Sequence, residues 1–288
     1  MAAVARAAIP IALALGACRD ATAPSIRGAR IAFQRGEDTT YNIYIISPDG
    51  SALQNLTASL GVRNLHPSWS PDGRRLVFVS DHTPAGLYVM NADGSGVRAL
   101  SKAGPGDSYP AWSPDGSRIA FTSTRAGESD IWIAAADGSN PVQVTSFGAE
   151  APAWTPDSKA ITYSDLSIGA IGLVDLSGLQ RYQISFPPAG GVDQSPAWAP
   201  DGSALAFIRQ TPTTTQHLYL LFAGDTTPKP ITNFPIGSDW TPVWAPSGRQ
   251  LLFVHDTNYD FDLFIIGVDG TGLQPLTSGP GLDFRPSW

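Results

Sequence analysis

The chain has 288 residues with 18 Lys and Arg against 25 Asp and Glu, a formal charge of −7, and 42% hydrophobic residues. The 29 Gly and 25 Pro would warn of disorder in a chain poor in apolar residues, but eight Trp and twelve Phe supply a core. Nucleic-acid binding calls for a clustered basic face, and no Lys/Arg cluster occurs, so a nucleic-acid partner is excluded.

The first element is "MAAVARAAIPIALALGAC", in which Arg6 makes a short positive segment and Ala7 to Leu15 an apolar stretch too short to span a bilayer. Leu15-Gly16-Ala17-Cys18 resembles the lipobox of bacterial lipoproteins. That resemblance implies residues 1–17 as a cleaved signal peptide, with Cys18, the single cysteine, as the acylated N-terminus. Arg19 follows where an inner-membrane retention signal has Asp, which favours the periplasmic side of the outer membrane, with the cell surface as the alternative. The lipid anchor would be the only membrane contact. Residues 18–25 form a tether of seven residues beyond the cysteine, at most roughly 24 Å long.

From residue 26 onward one unit repeats. "HPSWSPDGRRLVFV" at His66 returns as "YPAWSPDGSRIAFT", "APAWTPDSKAITYS", "SPAWAPDGSALAFI" and "TPVWAPSGRQLLFV", and the last residues are "RPSW". The motif tryptophans Trp69, Trp112, Trp154, Trp198, Trp244 and Trp288 are 43, 42, 44, 46 and 44 residues apart. Each unit reads as a short strand ending in Trp, a tight "SPDG" turn, an apolar second strand, a hairpin, a third strand, a "DG" turn and a short fourth strand. Runs such as Leu76-Val77-Phe78-Val79 fit a sheet covered on both faces. Four short strands per repeat, with no helical periodicity, predict an all-β, six-bladed β-propeller of four antiparallel strands per blade over residues 26–288. The first unit, "ARIAFQ", "NIYIIS" and "LQNLT", lacks a Trp strand, and "FRPSW" is predicted to supply it and close the ring.

The recurring P-x-W-S-P-D-G followed by an apolar strand resembles the propeller of the TolB family, within the WD-like repeat superfamily. The resemblance covers nearly all of the chain after Cys18. It departs in two ways: the family has an N-terminal α/β domain ahead of its propeller, and its members are soluble rather than lipid-anchored. The resemblance implies the fold and a propeller face that receives partner segments.

Candidate site residues lie just ahead of each Pro-x-Trp. Three positions before the proline stand Asn64, Asp107, Ala149, Asp193, Asp239 and Asp283. Each acidic side chain could brace its own loop, and together they could form an electronegative rim that draws a cation or a basic segment. Of the residues one or two before each proline, His66, Tyr109, Trp240, Phe284 and Arg285 include types favoured at interfaces. The "DG" turns at Asp49, Asp93, Asp137 and Asp269 lack the closing acid of a calcium loop and read as hairpin turns. No nucleophile elbow, HExxH or CxxC motif occurs, and the four histidines fall in different blades. The expectation is a non-enzymatic, monomeric binding or scaffold lipoprotein of the cell envelope. It has no catalytic residues, metal or cofactor, and it recognises a protein, peptide or glycan at the channel mouth. Alternatives are a carbohydrate-active enzyme of the oligogalacturonate-lyase type and a passive subunit of an envelope complex.

Overall fold

The computed structural model describes residues 30–37, 40–100, 104–212, 215–257, 260–279 and 281–288. The expected signal peptide, Cys18 and the expected tether lie outside the described residues. Six four-stranded antiparallel sheets follow one another along the chain, and the sixth sheet hands over to the first. The inner strands of blades 2 to 6 are Asn64–Trp69, Asp107–Trp112, Ala149–Trp154, Val192–Trp198 and Asp239–Trp244. Blade 1 takes its inner strand from the end of the chain: Leu282–Ser287 pairs antiparallel with Ile31–Glu37, Gln34 opposite Phe284 and Arg35 opposite Asp283. The expected closure is therefore present. Successive inner strands touch in a ring, the blade 6 strand meeting Leu282–Ser287 and that strand meeting Asn64–Trp69.

The core is divided among the six blade interfaces, which is why the second strands lack simple alternation. Leu76, Phe78, Tyr88 and Met90 of blade 2 pack on Ala32, Ile43 and Ile45 of blade 1. The face of blade 2 carrying Val77, Leu87 and Val89 packs on Trp112, Ile119 and Phe121 of blade 3. The interface that seals the wheel joins Leu252, Val254, Leu263 and Ile265 of blade 6 to Ile31, Phe33 and Ile46 of blade 1. Every one of those seven side chains is at most 3% exposed. Burying a side chain of this size contributes about 1.5–3 kcal/mol, so closure is a large favourable term.

The repeated motif has local physical reasons. In "SPDG" of blade 2, Ser70 Oγ donates to Asp72 Oδ1 (2.6 Å) and accepts the Arg75 N–H (2.9 Å). Gly73 there occupies φ +65°, a left-handed value that a side chain would strain. The motif tryptophans tie neighbouring blades: Trp154 Nε1 donates to Ala111 O and Trp244 Nε1 to Ala197 O, each at 3.0 Å. Arg118 lies 4.6 Å over the Trp154 ring. The "DG" turns are hairpin turns, as expected. Asp49, Asp93, Asp137 and Asp269 accept the N–H of Ser51, Ser95, Ser139 and Thr271, and hydrogen bonding by those residues holds the four carboxyls below their usual range.

Candidate functional site

The acidic column does not form an open rim. Asn64, Asp107, Asp193, Asp239 and Asp283 are 0–3% exposed. Each stands opposite a polar residue of its own second strand, Ser80, Ser123, Arg209, His255 and Arg35 respectively. Arg209 Nε and Nη2 donate to the two Asp193 oxygens at 2.6 and 2.7 Å. Arg35 grips Asp283 in the same bidentate way, and Arg125 with Ser123 holds Asp107. In blade 6, His255 Nδ1 lies 2.8 Å from Asp239 Oδ1, and Thr232 Oγ1 donates to Oδ2. Asn64 accepts from Ser80 and donates to Val62 O. Blade 4 has the pair reversed, Ala149 opposite Asp165. These residues brace the first two strands in the other five blades, whereas Asp165 of blade 4 accepts from Ser167 and Arg181 instead, and the expectation of a charged rim is corrected. The cause is the pleat: the position three before the proline points into the sheet interface rather than the channel.

Trp240 and Phe284 also lie elsewhere than expected. Both pack against the apolar cluster between blades 6 and 1. Trp240 Nε1 is 3.3 Å from Asp256 Oδ2, and the Phe284 ring is 4.4 Å from that of Phe261. Two residues before the proline is the wrong phase to face the hub.

One residue before the proline is the right phase. His66, Tyr109, Ala151, Ser195, Thr241 and Arg285, one from each inner strand, line a central cavity of about 130 Å³ together with the prolines that follow them. All six adopt positive φ, from 44° to 52° at Thr241, His66, Tyr109, Ala151 and Arg285 and 55° at Ser195. The cause is a bulge in each inner strand, where the register with the second strand shifts across the x-Pro pair, as between Trp240 and Val243. The bulge turns the pre-proline side chain to the axis. Left-handed backbone at a non-glycine residue costs of order 1 kcal/mol, and here it recurs six times around one cavity.

The ring is lopsided. Blades 1, 2 and 3 contribute Arg285, His66 and Tyr109, whereas blades 4, 5 and 6 contribute Ala151, Ser195 and Thr241. The large side chains form one stack. His66 and Tyr109 rings are 4.5 Å apart at 18°, and the Arg285 guanidinium is 4.5 Å from the Tyr109 centroid with Nη2 donating to its hydroxyl at 2.9 Å. Burial, and then the Arg285 charge, push the His66 pKa down to about 3. The Tyr109 N–H donates to His66 Nδ1 at 3.3 Å, which requires the neutral ring with its proton on Nε2. Burial likewise lowers the Arg285 pKa from its ordinary high value, while Tyr109 and Glu150 oppose that shift. At neutral pH, Arg285 is thus the charged member of the ring.

Chemically the hub offers hydrogen-bond donors, an aromatic face and one cation. His66 is committed through Nδ1 to an amide, so it does not serve the Ser195 or Thr241 hydroxyl as a base through that nitrogen. His217 and His255 are buried beside Asp239, away from the hub lining, and His82 is exposed on the rim of blade 2. Among the described residues no three His, Cys, Asp or Glu side chains are grouped to hold a metal. The sequence singled out His66, Tyr109 and Arg285 of this ring. It passed over Ala151, Ser195 and Thr241, whose shared place before proline was the available signal.

Residues 82–224 match the family described as the TolB beta propeller domain. The TolB homolog of Chlorobium luteolum is 31% identical over 124 residues, which make up 42% of this chain and 28% of that relative. Among solved structures, TolB from Acinetobacter baumannii aligns with a TM-score of 0.81 at 21% identity, over 91% of this chain and 66% of that one. An oligogalacturonate lyase from Vibrio parahaemolyticus aligns with a TM-score of 0.59 at 14% identity, over 85% of this chain and 73% of that one. The chain carries a TolB-like six-bladed propeller, and it spans 28% of the Chlorobium luteolum relative and 66% of the Acinetobacter baumannii TolB chain.

Proposed function

We propose that this protein is a non-enzymatic binding protein of the bacterial cell envelope that receives a protein or peptide partner at the hub of its propeller. A lipid on Cys18 would hold it to the outer membrane from the periplasmic side, with the propeller as a single domain over residues 26–288. The observation that carries the reading is the hub ring: six strained pre-proline residues, large and polar on three adjacent blades and small on the other three. Such a ring leaves an eccentric opening beside a donor-rich wall. Propeller likeness alone would be an argument by analogy; the support here is the site. The relatives named TolB agree with an envelope role. The small cavity and the commitment of His66 Nδ1 weigh against the lyase alternative.

The test is photo-cross-linking in intact cells. A small aliphatic diazirine amino acid at Ser195, compact enough to leave the hub open, is compared with the same group at Leu273, exposed outside it at 44%. The reading expects a discrete protein adduct from position 195. Adducts from position 273 alone would place the partner on the blade edges and favour the passive-subunit alternative.

A further inference from the structure

The junction of blades 6 and 1 gathers hydrogen-bond donors that the fold leaves without acceptors. In three of the six blades the N–H of the pre-proline residue is met by a side chain from the second strand of the preceding blade. Gln34 Oε1 takes the His66 N–H at 2.9 Å, Thr122 Oγ1 that of Ala151 at 3.2 Å and Ser164 Oγ that of Ser195 at 2.9 Å. Blade 2 has Val79 in this column, and the Tyr109 N–H turns to His66 instead. Blades 5 and 6 have Ile208 and Val254, opposite Gln194 and Trp240. Neither has an acceptor, and among the described residues no side chain caps the amides of Thr241 and Arg285.

Two side chains at the same junction share the condition. Thr241 Oγ1 is buried without a hydrogen-bond partner among the described residues. Arg285 spends one donor on the Tyr109 hydroxyl, and no carboxylate among the described residues lies within ion-pair distance of it. By contrast, Arg35, Arg125 and Arg209 are each held by an aspartate. A guanidinium half withdrawn from water with no carboxylate in contact is costly. Its cost is offset when a ligand supplies that charge through short, charge-assisted bonds. Arg285 is half-buried at the hub, and that burial lowers its pKa while the charge of Glu150, outside ion-pair distance, opposes the shift.

We infer that the hub binds a carboxylate between Arg285 and Thr241, presented by an acidic side chain or the C-terminus of a peptide that enters the channel. The inference rests on the hub reading above and narrows its guest to an acidic one. Arg285 would grip the carboxylate and the Thr241 hydroxyl would donate a further bond, while Ala151 and Ser195 leave room for the guest's chain. A sugar is the poorer fit, because about 130 Å³ admits a carboxylate and the few atoms that carry it but is tight for a whole uronate ring.

The experiment measures thermal stabilisation and calorimetric affinity of the full chain with four probes: acetate against chloride at equal ionic strength, a blocked Gly-Gly-Glu-Gly-Gly peptide, its Gln counterpart, and digalacturonate. Acetate should raise the wild-type melting temperature, and the Glu peptide should bind more than tenfold tighter than the Gln peptide. Arg285→Gln should remove that preference. Thr241→Val, which deletes one hydroxyl and serves if Arg285→Gln does not fold, should weaken the Glu peptide several-fold. No carboxylate effect beyond chloride, or equal affinity for the two peptides, would overturn the site. Digalacturonate binding tighter than the Glu peptide would overturn the peptide guest. The two readings fail separately. Carboxylate binding with partner capture unaffected by Ser195→Trp keeps this site and removes the partner from the hub, whereas lost capture without carboxylate binding does the reverse.

Discussion

Replacing Asp193 by Ala separates a bracing role from a binding role. Asp193 is 0% and Arg209 9% exposed, and the pair is bidentate at 2.6 and 2.7 Å. The substitution strands a guanidinium between the Phe207 and Tyr219 rings, each about 5 Å away. Breaking a buried pair from one side costs about 3–5 kcal/mol, a large share of the 5–15 kcal/mol that holds a typical domain together. Removing both charges costs far less, because neither partner is left alone. Urea unfolding of Asp193→Ala, Arg209→Met and the Asp193→Leu/Arg209→Met double variant should therefore show two strongly destabilised singles and a double that recovers most of the loss. A loss below about 1 kcal/mol for Asp193→Ala, accompanied by lost partner capture, would refute the brace and restore the acidic rim.

Three further outcomes follow from the same geometry. Deleting residues 284–288 removes Phe284 and Trp288 from the interface that seals the wheel; two partly buried aromatics are worth roughly 3–6 kcal/mol, so the melting temperature should drop by about 10 °C or more. His66 has a folded pKa near 3 against 6.5 unfolded, so the unfolded chain takes up its proton first as pH falls. Its contribution is whole above pH 6.5 and is lost toward pH 3, at up to about 1.4 kcal/mol per pH unit. His66→Asn, which keeps an acceptor for the Tyr109 amide, should flatten that part of the stability–pH curve measured by urea melts. Gly237 sits at φ +89°, and a Cβ there would come within 1.8 Å of the Asp256 carbonyl oxygen; Gly237→Ala should cost at least about 2 kcal/mol in the same assay.

The fold was legible because its determinants are local and repeated. A Trp strand, a "SPDG" turn and an apolar strand recur at 42–46 residues, and the missing inner strand of the first unit pointed to its donor at the other end of the chain. The site was legible only by half. Sequence spacing located the segment ahead of each proline but not which of its residues faces the axis, because that depends on the bulge that shifts register across the x-Pro pair. So Trp240 and Phe284, attractive as interface types, fall between blades, while Ala151, Ser195 and Thr241 reach the hub without any chemical character to announce them. The aspartates were marked by their recurrence. Their partners sixteen residues on, such as Ser123, Arg209 and His255, vary in type, which hid the bracing pattern until the strands were paired.

Filling the hub is the most direct test. Ser195→Trp keeps the blade and its positive-φ position, which elsewhere in the ring accepts His, Tyr and Arg, yet it occupies the open half of the channel. With folding verified by an unchanged melting temperature, capture of the envelope partner from detergent extracts should fall at least tenfold relative to wild type. Capture at the wild-type level by a folded, plugged propeller would contradict binding at the hub.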